Sequence, residues 1–140
     1  MAGARSPRRG RLSRSADFDR VLRNGRSQAG RELVLYVFPR GGHEAPRLGL
    51  SVSRKVGGAA LRNRVKRLLR EAFARERERL PVGTDAVVIA RPGAGELAER
   101  QGLDGIHAAL SDLVDRVTVG GTQSVADAAE TSSREPGEAE

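Results

Sequence analysis

Cysteine and tryptophan are absent from this chain of 140 residues, and its other aromatic side chains amount to three Phe and one Tyr. Without cysteine there is no disulfide framework, thiolate zinc site or cysteine nucleophile, which fits a reducing, cytoplasmic setting. The few aromatics predict a core built from aliphatic side chains. No secretory segment or run of about 18 apolar residues is present, so we expect neither export by that route nor a membrane span.

Residues suited to protein-based catalysis are scarce as well. The two histidines, His43 in a Gly-rich turn and His107 in a helical pattern, are far apart in the sequence. No metal-ligand cluster or paired-carboxylate motif accompanies them, and we interpret His107 as a border or core residue of its helix. The sequence therefore offers no candidate catalytic or metal-binding residue in the protein.

Positive charge is what the chain has in excess, with 25 basic and 18 acidic residues. A net charge of +7 is typical of a nucleic-acid-binding protein. The excess lies in two blocks, residues 1–31 and 54–79, whereas residues 121–140 carry five acidic side chains and one basic side chain. We interpret residues 1–10 as a flexible basic arm, 11–118 as one domain, and 119–140 as a disordered acidic tail.

Residues 54–79 have the spacing of an amphipathic helix. Its apolar stripe consists of Leu61, Val65, Leu68, Leu69 and Ala72, with Phe73 at the border. A second face is basic and carries Arg62, Lys66 and Arg70, with Asn63 and Arg67 beside them. No acidic residue lies between positions 62 and 70 to neutralise this face, so it indicates a polyanionic partner. The alternative from spacing alone is a solvated charged surface.

Shorter elements surround this helix. A first helix is predicted from Ser15, as its N-cap, to Gly25. The other predicted elements are strands over residues 32–38, 48–52 and 85–90 and a closing helix over 103–117. We expect the first two strands to form a hairpin, and the basic helix to connect the second and third strands as a β-α-β crossover.

Several segments together resemble the protein subunit of bacterial ribonuclease P. They are residues 47–55 (RLGLSVSRK), Gly57-Gly58 and residues 62–73 (RNRVKRLLREAF). The resemblance extends upstream through residues 17–18, 21, 25 and 33–36 and downstream through residues 88–91, so that it covers roughly residues 11 to 118.

For the fold, the resemblance implies an α+β protein, a two-layer α/β sandwich similar to domain 2 of ribosomal small-subunit protein 5. It also implies a mixed sheet, the basic helix, and an unusual left-handed β-α-β crossover. The sequence pattern does not show that hand, because the general rule favours right-handed crossovers.

For function, the resemblance implies that a large RNA, rather than the protein, removes the 5′ leader of precursor tRNA with bound Mg²⁺. The protein would assist substrate binding and metal affinity, with one protein per catalytic RNA and no membrane partner. The family's RNA-binding helix corresponds here to Arg62, Asn63, Arg64, Lys66, Arg67 and Arg70. Its leader-binding cleft corresponds to Phe18, Leu22, Val34, Tyr36, Arg54 and Lys55.

Other interpretations stay open at this point. From the residues alone, core packing is favoured for Phe18 and Tyr36. Leu22 stands where family members often have a second aromatic, so base stacking is expected to be weaker there. A noncatalytic RNA-binding protein of the ribosomal type would use the same basic helix. A DNA-binding protein is disfavoured, because no helix-turn-helix partner or zipper heptad accompanies that helix.

Overall fold

The computed structural model describes residues 11–12 and 15–119. The predicted arm lies outside the described residues, as does the predicted tail apart from the backbone of Val119, so the division of the chain stays a prediction. The helices are α1 (Ser15–Asn24), α2 (Ala59–Glu76) and α3 (Gly93–Val119), and the strands are β1 (Arg26–Ala29), β2 (Leu33–Pro39), β3 (Arg47–Val52) and β4 (Thr84–Ala90). Short 3-10 helices, Arg54–Val56 and Arg77–Arg79, flank α2.

The four strands form one mixed sheet in the order β1-β2-β4-β3. Strand β4 pairs antiparallel with β2 and parallel with β3. Every β4 residue except Ile89 is buried, because its apolar run packs on both faces of the sheet. The expected mixed sheet and the connection of β3 to β4 through α2 are confirmed. The left-handed sense of that connection stays a prediction.

The hairpin predicted between the strands over residues 32–38 and 48–52, now β2 and β3, is wrong. Strands β2 and β3 do not pair, because β4 lies between them. The physical reason is that β4 is apolar on both sides and needs a neighbour at each edge, whereas β3 alternates aliphatic with small polar residues. Strand β1 was not predicted, since its sequence Arg-Ser-Gln-Ala has no apolar alternation, yet it pairs with β2 along its whole length.

The sheet has one fully covered face and one partly covered face. Helices α2 and α3 pack on the first, against Leu33, Leu35, Val37, Leu48 and Val88. Helix α1 packs on the second through Val21, which joins Leu12, Phe18, Tyr36 and Val87 in a smaller apolar cluster. Because α1 has only ten residues, part of this second face remains open.

Helix α2 confirms the predicted apolar stripe and corrects its width. Val65, Leu69 and Ala72 are fully buried, and so is Phe73, which was expected at the border. The buried arc is wider than the stripe because α2 packs against both α3 and the sheet. The ring of Phe73 also lies under the guanidinium of Arg77, 5.6 Å from the ring centroid.

Helix α3 begins ten residues earlier than predicted. It runs from Gly93 and is interrupted at Gly102, whose φ of 59° and ψ of −144° are not helical. Glycines in this half hid the helical pattern, while Ala94, Leu97 and Ala98 are buried in the core. At the other end of the chain, α1 runs from Ser15 to Asn24, so Gly25 follows its end as predicted.

His107 has a structural partner at the border between α2 and α3. Its Nε2 lies 2.6 Å from Oε2 of Glu76, and Nη1 of Arg79 donates to Oε1 of the same carboxylate at 2.5 Å. Arg79 also pairs with Asp115. Burial alone would raise the pKa of Glu76, but the hydrogen bonds from Arg79 and His107 outweigh it, so this pKa is lowered.

We predict that Glu76→Gln lowers the free energy of unfolding at pH 7 by about 1–3 kcal/mol, because the carboxylate accepts charge-assisted hydrogen bonds. Its pKa is depressed by folding, so this stability is present above the unfolded pKa of about 4.3 and is lost as the pH falls through the folded value. Urea unfolding at pH 7 and in acid measures both effects. Glu78→Gln, at an exposed position, is the matched control; parallel acid profiles for wild type and Glu76→Gln would contradict the prediction.

Candidate nucleic-acid interface

The buried stripe of α2 fixes which side of the helix faces solvent. With Val65, Leu69 and Ala72 in the core, the opposite side exposes Asn63 and Arg67. Arg64 and Arg70 are also exposed, and Arg62 and Lys66 are half-buried. The cationic side chains therefore reach solvent from a helix that cannot rotate without uncovering its apolar face.

The five cations between positions 62 and 70 have no carboxylate partner in the part of the chain that the structure describes. Among residues 11–12 and 15–119, none of them forms an ion pair, and Nε of Arg62 donates to the carbonyl oxygen of Gly57 at 3.2 Å. Elsewhere, paired arginines are common: they include Arg20, Arg40, Arg47, Arg79 and Arg116. The positive charge on α2 is thus available to an external anion.

The predicted RNA-binding residues do not all share one face of α2. Arg62, Lys66 and Arg70 follow one another at successive turns, with Asn63 and Arg67 alongside. At about 100° per residue, Arg64 projects roughly 160° away from Lys66. The six residues therefore spread over about 200° of the helix surface, with Arg62 at one flank and Arg64, about 60° beyond Arg67, at the other.

Arg11 extends the basic face of α2, and the sequence did not single it out. It forms a parallel bridge with Leu48 of β3, and the backbone N–H of Leu12 donates to the carbonyl oxygen of Leu48 at 2.8 Å. Burial, together with repulsion from Arg11, lowers the pKa of Arg70. Two arginines close enough to repel each other favour an anion near both. The only sequence clue was the basic block over residues 1–31.

The open part of the sheet contains the other predicted site. Val34 pairs with Ile89 and Tyr36 pairs with Val87, so these side chains lie on the same face. Val34, Tyr36 and Ile89 are half-buried, and we call them the trough. Ile89 was not predicted as a site residue, although its position in alternation with Val87 would have indicated it.

Helix α1 and the 3-10 turn after β3 contribute the remaining predicted residues of the trough region. Leu22 on α1 is 37% exposed, which is high for a large apolar side chain. Arg54 and Lys55 are exposed, and the hydroxyl oxygen of Ser53 accepts from the Lys55 N–H at 3.3 Å, which fixes the turn. Since β3 pairs with β4 up to Val52 opposite Ala90, this turn follows at the Ile89 end of the trough.

The ring of Phe18 packs directly against the backbone of β3. A Cβ atom on Gly49 would lie 2.7 Å from the Phe18 ring, so glycine is required for the ring to rest on the backbone of β3. Phe18 and Tyr36 both belong to the apolar cluster under α1. Packing is therefore one role of both aromatics, and their contact with RNA stays a prediction.

Two further features bear on what this surface can bind. In the described part of the chain, no group of three or more His, Cys, Asp or Glu side chains could hold a metal ion. None of the helices described is both long enough and apolar enough to cross a membrane.

Comparison with known proteins identifies a related family and related sequences. The family described as Ribonuclease P matches residues 6–114. The ribonuclease P protein component of Brevibacillus brevis is 44% identical over 109 residues, which cover 78% of this chain and 83% of that protein. The corresponding protein of Desulfovibrio desulfuricans is 46% identical over 94 residues, covering 66% of this chain and 72% of the relative.

Solved structures give the same result. The ribonuclease P protein of Staphylococcus aureus superimposes with a TM-score of 0.69 at 34% identity, covering 79% of this chain and 96% of that chain. The ribonuclease P protein of Thermotoga maritima gives a TM-score of 0.68 at 35% identity, covering 77% of this chain and 97% of that chain. The similarity therefore extends over sequence and fold together.

Proposed function

Because this chain belongs to the ribonuclease P protein family, and so is the protein component of a tRNA-processing ribonucleoprotein, we propose that it binds two RNAs. One is the catalytic RNA of the enzyme, and the other is the 5′ leader of precursor tRNA. The holoenzyme, in the cytoplasm and with one protein per RNA, then cleaves the leader to leave the mature tRNA 5′ end. The observation that carries this proposal is the row of cations on α2, which have no carboxylate partner among the described residues.

The basic face of α2 is suited to a folded RNA. Arg62, Lys66 and Arg70 place one cation on each of three successive turns, with a rise of about 6 Å between them. Arginine and lysine contacts to phosphate position an RNA without reading its sequence. Asn63 and Arg67 widen this row, and we assign the five residues to the catalytic RNA, with Arg64 as a contact from the other flank.

The trough is suited to a single strand. Its floor is apolar at Val34 and Ile89, and Tyr36 can offer a ring to an unpaired base. Arg54 and Lys55 stand at one end, where they can follow the phosphate backbone of the leader. Leu22 adds apolar contact without a ring, so we assign a larger share of leader binding to Tyr36 and to charge, with Phe18 supporting α1 from below.

We assign catalysis to the RNA subunit, with Mg²⁺ held mainly by that RNA and the substrate. Mg²⁺ retains several waters and is commonly bound through phosphate oxygens, where it stabilises developing negative charge. The described side chains form no metal-binding group of their own. The role of this chain is then to hold phosphates of both RNAs in place. This positioning favours binding of Mg²⁺ to those phosphates indirectly.

The direct test is reconstitution. The full chain is added to the ribonuclease P RNA of its own genome, and 5′ processing of a precursor tRNA is followed at low, near-physiological Mg²⁺. We expect cleavage that depends on both components. An RNA that is active alone at high Mg²⁺ but is not stimulated by the protein at low Mg²⁺ would support the ribosomal-type alternative instead.

The assignment of α2 predicts a change in salt dependence. Replacing Lys66, Arg67 and Arg70 with alanine should weaken binding to the catalytic RNA and flatten the plot of log Kd against log salt. The slope should fall by up to about 0.9 for each phosphate that the protein no longer neutralises. Filter binding at several salt concentrations measures the slope.

The matched control replaces Arg23, Arg31 and Arg100, which are exposed and lie outside α2. This control variant removes three positive charges, as the α2 variant does. If both triple variants change the slope equally, net charge alone attracts the RNA, and the assignment of the α2 face is wrong.

The assignment of the trough predicts a difference between substrates. Tyr36→Ala should weaken binding of precursor tRNA by the holoenzyme about 5-fold to 150-fold, because stacking on one base contributes about 1–3 kcal/mol. Mature tRNA, which lacks the leader, should bind as before. Tyr36→Phe keeps the ring and should retain most of the precursor affinity; an equal loss for precursor and mature tRNA in Tyr36→Ala would refute the assignment.

A further inference from the structure

A partly buried ionic network joins α1 to the sheet below it. The carboxylate of Asp85 on β4 is 1% exposed and is held by Arg47 of β3 through two hydrogen bonds, Nε to Oδ1 at 2.8 Å and Nη2 to Oδ2 at 2.9 Å. Nε of Arg40 lies 3.5 Å from the same Oδ1. Nη2 of Arg47 also lies 3.7 Å from Oδ2 of Asp17, in the first turn of α1.

Arg47 connects two elements, because its guanidinium contacts both Asp85 on β4 and Asp17 on α1. Arg47 and Asp85 are direct neighbours in the parallel register of β3 and β4. The guanidinium of Arg47 is therefore held in position by the sheet, independently of its contact with α1. Its hydrogen bonds to Asp85 raise the pKa of Arg47 against the effect of burial, and Asp17 adds to the same shift. A guanidinium held by two parallel hydrogen bonds has little rotational freedom left. Asp17 therefore meets a charge whose position is set by the sheet.

Asp17 is followed directly by Phe18, whose ring rests on Gly49 two residues along β3 from Arg47. The polar contact and the apolar contact thus hold the same turn of α1 over the same strand. Leu22 follows Phe18 one turn later on the same side of α1 and is 37% exposed. A change in the height or tilt of this turn would move that wall of the trough relative to Tyr36.

We propose that the chain of contacts from Asp17 through Arg47 to Asp85 sets the position of α1 above the sheet and so tunes the trough to the leader of precursor tRNA. We call these three residues the clamp. They are positioning residues, because they act on the leader through Phe18 and Leu22. The inference rests on the proposed function of the trough, and adds that its width is under electrostatic control.

The test removes the contact between Arg47 and α1 and keeps the rest of the network. Because Asp17 also pairs with Arg20 at 3.5 Å, Arg20→Gln is a second control that removes only that pair within the helix. Asp17→Asn has nearly the same shape and leaves the two hydrogen bonds between Arg47 and Asp85 in place. Asp19→Asn is the matched control, because Asp19 is exposed on the same helix and its replacement changes the net charge by the same amount. Holoenzymes are reconstituted with each full-length variant, and Kd is measured for precursor tRNA, for mature tRNA and for the catalytic RNA.

We expect Asp17→Asn to reduce the ratio of mature to precursor Kd by about 2-fold to 5-fold relative to Asp19→Asn, the fold-change that corresponds to the free energy of a solvent-accessible ion pair. Binding of mature tRNA and of the catalytic RNA should not change. A second variant, Arg47→Lys, keeps the charge but removes the fork, and should lower the ratio in the same direction.

Three outcomes would overturn the inference. Equal ratios for Asp17→Asn and Asp19→Asn would show that the clamp does not control the trough. Equal losses for precursor and mature tRNA would show that Asp17 stabilises the fold and nothing more. A wild-type holoenzyme that binds precursor and mature tRNA equally would instead remove the proposed leader site itself, and so is distinguishable from failure of the clamp alone.

Discussion

The burial of β4 on both faces is the constraint on which the rest of the molecule depends. Its apolar side chains from Ala86 to Val88 need cover above and below and a strand at each edge. Helices α2 and α3 cover one face, α1 covers part of the other, and β2 and β3 flank it. Since β3 runs parallel to β4, the chain must cross the sheet between them, and α2 makes that crossing. The position of the basic helix thus depends on the strand that follows it. Its cations face solvent because its apolar side packs against α3 and β3.

The features of the fold that could be predicted are those that appear as a pattern within one short segment of the sequence. The stripe of α2 and the apolar run of β4 are repeated side-chain patterns, and both were predicted within a few residues. The pairing of β2 with β4 rather than β3 is a comparison between strands distant in sequence, which no local pattern contains. Strand β1 has no apolar alternation because it lies at the edge of the sheet and is held by its backbone and by β2. The first half of α3 was missed because glycines there obscure a face that Ala94 and Ala98 bury.

The candidate sites show the same division. The types of residue on α2 indicated a polyanion from the sequence, but which of these side chains are exposed follows only once the helix is fixed against the core. Arg11 acts electrostatically on Arg70 because residues 11–12 run beside β3, an interaction across nearly sixty positions of sequence. The close fit of Phe18 on Gly49 likewise depends on two elements that meet only in the folded chain. Residue chemistry was thus predictable where the arrangement was not.

The bridge between Arg11 and Leu48 has a consequence for association between molecules. Strand β3 ends the sheet, and its outer N–H and C=O groups would otherwise be open to another extended chain. By lying along that strand, with the Leu12 N–H bonded to the Leu48 carbonyl, the short segment shields part of this edge. The opposite edge, β1, has four residues, and its polar sequence offers little for a neighbouring strand to bury. Removal of the first twelve residues would leave β3 as a free template, and shortened forms of the protein would aggregate more readily by strand addition.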